Sequence, residues 1–62
     1  MRVLKSGVTL FDNNLDRYIT IRDISNNVCD CRVMEYDEEM NEVHYTALFT
    51  TSELKTSRYT VM

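Results

Sequence analysis

Cys29 and Cys31, two residues apart, and the single histidine His44 are the side chains that could supply thiol or imidazole chemistry. Alternate residues of a strand share a face, so the two thiols could bind zinc together, at about 2.3 Å from the ion. A structural zinc site takes four ligands, and His44 is the one further nitrogen or sulfur donor of that kind. A cysteine nucleophile would also need His44 within hydrogen-bond reach, and a third group to orient it. Glu35, Asp37, Glu38, Glu39 and Glu42 form an acidic stretch that could hold calcium or imitate a string of phosphates. Calcium loops make their sharp turn with a glycine, and this stretch has none. A mutual disulfide between such close cysteines would be strained. Free thiols in a reducing cytoplasm are the expectation.

The elements that must position these groups are short alternating strands cut by polar turns. Beta-branched and aromatic residues recur at period two, between clusters of Asn, Asp and Ser. Val8–Phe11 forms the first strand, with an extended stretch from Arg2 to Leu4 before it and a loop from Asp12 to Asp16 after it. The second strand runs from Arg17 to Ile24, with Ile19 and Ile21 on one face and Tyr18, Thr20, Arg22 and Ile24 on the other. Ser25-Asn26-Asn27 turns the chain into a third strand, Val28–Tyr36, and a fourth covers Val43–Thr50. Thr50 and Glu53 stand three apart, the spacing of a capping box, and open a single helical turn before a last strand at Arg58–Met62. With one Gly and no Pro, the turns must draw positive φ from Asn13, Asn14, Asn26, Asn27 and Asn41. A helix from Asp37 to Phe49 is the competing reading, because Tyr36, Met40, Val43 and Ala47 fall at helical spacing. Strand propensity in Val43-His44-Tyr45-Thr46 and Phe49-Thr50-Thr51 favours the hairpin.

Charge fixes the register of that hairpin. Pairing Tyr36 with Glu42 sets Val33 opposite Tyr45, Cys31 opposite Ala47 and Cys29 opposite Phe49. A slip of one residue would carry Asp30 and Arg32 into the apolar face, at several kcal/mol for unpartnered charge. The expected core is therefore Val8, Leu10, Ile19, Ile21, Cys29, Cys31, Val33, Val43, Tyr45, Ala47, Phe49 and Leu54. The opposite face carries Arg32, Met34, Tyr36, His44 and Leu48, which separates His44 from both thiols. Met34, Tyr36 and Leu48, with Arg32 at the margin and Tyr18 beside them, make a contact surface of residue types enriched at interfaces.

In architecture the chain resembles the SH3-like small barrels. The resemblance rests on the turn at Thr51-Ser52-Glu53-Leu54 between the fourth and fifth strands, and on the tight turns at Ser25-Asn26-Asn27 and Asp37 to Asn41. It implies an all-β domain over residues 1–62, a small barrel or roll of four to five antiparallel strands with one helical turn. Without a Trp, and with Asp12 and Asp16 but no paired tyrosines in its first loop, the chain lacks the features that read proline-rich ligands.

Composition narrows the function. Sixty-two residues make one domain with a small stability margin, and 44% hydrophobic residues exclude a disordered chain. The net charge is −3, and no Lys or Arg occurs between Val33 and Leu54. Direct nucleic-acid binding needs clustered cations, and neither a signal peptide nor a membrane span is legible. The expectation is a cytoplasmic binding domain with no catalytic residue, cofactor or metal ion. Its partner is a protein of basic charge or a second copy of the chain. Two rival classes are an acidic mimic or adaptor that acts on a nucleic-acid-processing protein through Glu35, Asp37, Glu38, Glu39 and Glu42, and a zinc or thiol protein using Cys29, Cys31 and His44. A short acidic reading frame opening on Met1 suits an accessory or inhibitory protein of a phage or mobile element.

Overall fold

The computed structural model describes residues 4–62, so the expected extended stretch at Arg2 and Val3 lies outside them. Five strands form one antiparallel sheet: β1 (Thr9–Asp12), β2 (Arg17–Ser25), β3 (Val28–Tyr36), β4 (Glu42–Thr50) and β5 (Tyr59–Val61), with the helical turn α1 (Thr51–Leu54) before β5. Their order across the sheet is β4-β3-β2-β1-β5. The stretch after Asp37 is a hairpin and not a helix. Its register is the one charge dictates, with Tyr36 opposite Glu42, Val33 opposite Tyr45, Cys31 opposite Ala47 and Cys29 opposite Phe49.

The turns follow local chemistry, with two changes of residue. Asn26 (φ 51°) and Asn27 (φ 65°) are the two left-handed residues of a tight hairpin, whose backbone twist matches that of the strands. At the β3–β4 tip Met40 N–H donates to the Asp37 carbonyl and Asp37 N–H to the Asn41 carbonyl, each at 3.0 Å. Asp37 Oδ1 also accepts from the N–H of Glu39 and Asn41. This geometry puts the left-handed residue at Met40 (φ 65°) and not at Asn41. In the first loop Asp16 (φ 51°) takes that conformation in place of Asn13 and Asn14. The capping box forms as the Thr50–Glu53 spacing requires, with side chain and backbone of each residue bonding the other.

Leu10, Ile19, Ile21, Cys29, Cys31, Val33, Phe49, Leu54 and Tyr59 make the core, and Val8, Ile24 and Ala47 pack against it half-buried. Ile24 reaches this inner face because of a bulge. Ile21 pairs with Cys31 and Asp23 with Asp30, so Arg22 is an extra residue and the alternation reverses beyond it. The Arg22 carbonyl accepts a hydrogen bond from Ser6 Oγ at 2.7 Å, while Gly7 N–H donates to the Ile21 carbonyl. Unbroken alternation from Ile19 and Ile21 would leave Ile24 outside; the bulge brings it in.

Val43 and Tyr45 also depart from expectation, at 38% and 36% exposed. The sheet coils until its two edge strands touch at one end, where the Phe49 and Tyr59 rings meet edge to face with centroids 6.4 Å apart. Leu54 of α1 is fully buried in the same core. Val43 and Tyr45 belong to the opposite end of β4, toward the hairpin tip, where the neighbouring inner positions are Glu35 and Arg17. Alternation put both residues on the correct face, but that end of the face has no second layer over it.

Candidate functional site

The outer face is built row by row from the strand register. Phe11 lies opposite Tyr18, Tyr18 opposite Met34, and Met34 opposite His44. Phe11 and Tyr18 pack edge to face at 5.1 Å. All three apolar members of this row are half-buried. Tyr36 stands on the same face two residues beyond Met34 and is 49% exposed. Arg32 stands on the other side of Met34, between Thr20 and Thr46. The surface thus joins Phe11, Tyr18, Met34 and Tyr36, with Arg32 at its margin.

Leu48 is on this face and 70% exposed, opposite Asp30. Four residues of β4 separate it from His44, which is about 14 Å of strand, and six separate it from Glu42 opposite Tyr36, about 20 Å. The Arg32–Thr46 row intervenes. Leu48 therefore makes a second, isolated apolar point. Phe11 was missed at the sequence level because its place beside Tyr18 depends on the β1–β2 register.

The acidic stretch is divided by its bonds. Asp37 closes the tip turn, Glu42 accepts from His44 Nε2 at 3.0 Å, and Glu35 accepts from the Tyr45 hydroxyl at 3.2 Å. Glu38 and Glu39 remain as the exposed carboxylates of the tip.

The inner face carries a polar cluster that the sequence did not reveal. Asp12 is fully buried at the end of β1. Its Oδ1 accepts from Arg58 Nε at 2.9 Å and from the N–H groups of Asn14 and Leu15 at 3.0 and 3.3 Å. Its Oδ2 accepts from Arg17 Nε at 2.9 Å and Arg58 Nη2 at 3.0 Å. Arg17 Nη1 donates onward to the Tyr45 hydroxyl at 2.9 Å, linking Asp12 through Arg17 and Tyr45 to Glu35. Burial alone would raise the Asp12 pKa; the hydrogen bonds from Arg58, Arg17 and the two backbone groups outweigh it and hold the carboxyl well below the usual carboxylate range. Both guanidinium groups also cover rings, Arg17 over Phe49 and Arg58 over Tyr59. The cluster ties β1, β2 and the entry to β5 together.

Cys29 and Cys31 lie side by side on the inner face, fully buried, with Cys31 Sγ 3.6 Å from the Cys29 carbonyl. Burial pushes both thiols up, Cys31 to about 11, helped by the nearby Cys29 and Asp30. His44 is on the opposite side of the sheet, paired with Glu42. Among the described residues no three His, Cys, Asp or Glu side chains are grouped to hold a metal ion, and no helix is long and apolar enough to cross a membrane. Comparison with known proteins finds no matching family model, no matching curated protein and no matching solved structure.

Proposed function

We propose that this chain is a small protein-interaction module whose contact surface is the outer-face row of Phe11, Tyr18 and Met34, extended by Tyr36 and edged by Arg32. The observation that carries the reading is the alignment of these side chains by two successive strand pairs on a face the core does not use. Tyr, Met and Phe, with an Arg at the edge, are the residue types that interfaces concentrate. The half-buried rings already hold one another in place, so little side-chain entropy is lost when a partner covers them. Glu38 and Glu39 at the tip favour a partner with basic charge, acting on encounter rate more than on final affinity.

The reading extends to an SH3-like barrel, supported by the one-turn helix between β4 and β5 and by the tight turns on either side of β3. Binding without catalysis fits two thiols kept protonated and a histidine on the other side of the sheet. A reducing, cytoplasmic setting suits the free thiols, and small size with acidity suits an accessory or inhibitory protein of a phage or mobile element. The test compares Met34→Ser with Tyr36→Ser, made together, against Leu48→Ser. Capture of a partner should fail for the first variant and persist for the second, with both variants folded.

A further inference from the structure

We infer that the free edge of β4 pairs with β4 of a second copy, antiparallel and about a two-fold axis at Thr46, to make one continuous sheet. The inference goes beyond the outer-face reading and rests on backbone geometry. Asp37 N–H bonds the Asn41 carbonyl and Thr51 N–H bonds the Asn27 carbonyl. Continuing that alternation along the paired strands, Val43, Tyr45, Ala47 and Phe49 turn their N–H and C=O groups toward β3. Glu42, His44, Thr46, Leu48 and Thr50 turn theirs outward. Thr50, the N-cap of α1, has both groups engaged: its N–H bonds the Glu53 carboxylate and its C=O takes the first bond of the helical turn.

Natural sheets guard such an edge with a lysine, a proline, a bulge or a very short strand. β4 has nine residues, an unbroken register with β3, and neither Lys nor Pro. The other free edge, β5, is three residues long, so the longest available partner for β4 is β4 itself. An antiparallel two-fold at Thr46 aligns the full length of both strands and draws its backbone bonds from His44, Thr46 and Leu48 of each copy, since α1 engages Thr50. It sets Thr46 opposite Thr46 of the second copy, His44 opposite Leu48, and Glu42 opposite Thr50. On the inner face, exposed Tyr45 and Val43 meet Ala47 and Phe49. Within the strand overlap no like charges face each other. The acidic tip extends past Thr50 toward the segment holding exposed Glu53 and Lys55, whereas a parallel arrangement would bring the two tips together.

The test is sedimentation of the intact chain over a range of concentrations, with variants at position 46. Thr46→Pro removes an N–H that β3 does not use, so the fold should persist while the dimer loses both bonds of its central pair. Its dissociation constant should rise at least about thirtyfold. Should the proline disturb the fold, charge reversal answers the same question. Thr46→Lys and Thr46→Glu should each weaken self-association roughly fivefold, and mixing them should restore a dimer of one of each. A wild-type chain that stays monomeric at every concentration overturns the inference. So does an assembly larger than a dimer, or a dimer unchanged in folded Thr46→Pro or in the two charged variants.

Discussion

Replacing Asp12 by Asn tests the account of what holds this sheet together. The change keeps the shape and the Oδ1 acceptor, which serves Arg58 Nε and the N–H groups of Asn14 and Leu15. At Oδ2 it puts an amide donor against two other donors, Arg17 Nε and Arg58 Nη2. Two charge-assisted bonds at roughly 1.5–3 kcal/mol each give a loss of roughly 3–6 kcal/mol, close to the roughly 3–5 kcal/mol typical of breaking a buried ion pair. At roughly 0.05–0.15 kcal/mol per residue, 62 residues hold roughly 3–9 kcal/mol in all. The variant should therefore lose about a third or more of its stability at 25 °C, read as circular dichroism against urea. The pH dependence supplies a second reading. Because the carboxyl is held below its ordinary range in the fold, its contribution is complete above the unfolded pKa of about 3.9 and is lost as pH falls through lower values. At about 1.4 kcal/mol per pH unit, the gap between wild type and variant should narrow by roughly 2 kcal/mol near pH 2.5. A variant within about 1 kcal/mol of wild type at pH 7, or a gap that does not change with pH, would refute the role given to Asp12.

Two other changes follow from local geometry. Met40→Gly should stabilise the chain by about 0.5–1 kcal/mol, since Met40 is an exposed non-glycine residue at φ 65°, and relief of that strain exceeds the added entropy of Gly in the unfolded chain; equal or lower stability would contradict the turn geometry. Cys31 should label about a hundredfold more slowly at pH 8 in native buffer than in urea, and Cys29 more slowly too, because burial suppresses the thiolate. Fast labelling of the folded chain would show that the thiols reach solvent.

What could be read from the sequence was whatever depends on alternation and neighbouring residues. The β3–β4 register was legible because only one phase keeps Asp30 and Arg32 off the apolar face, and the capping box because its residues are three apart. Ile24 was misplaced because a bulge at Arg22 leaves no mark in composition. Val43 and Tyr45 were placed on the correct face but assigned too much burial, since where the curled sheet closes depends on Phe49 meeting Tyr59 across the chain. Asp12 read as a loop residue; Arg58, 46 positions away, becomes its partner only through β1–β5 pairing. Of the contact surface, Met34, Tyr36 and Arg32 followed from the register. The distance to Leu48 followed from it too, once exposed residues were laid out along β4 and not grouped by face alone.

The most direct test of the central claim is capture of binding partners by four immobilised chains: wild type, Thr46→Pro, Leu48→Ser, and the double variant Met34→Ser with Tyr36→Ser. Each is first checked for an unchanged β-type circular dichroism spectrum. One partner protein should be held in equal yield by the first three and lost from the double variant. Capture of that protein by the folded double variant in undiminished yield would contradict the assignment of the Phe11–Tyr18–Met34–Tyr36 surface.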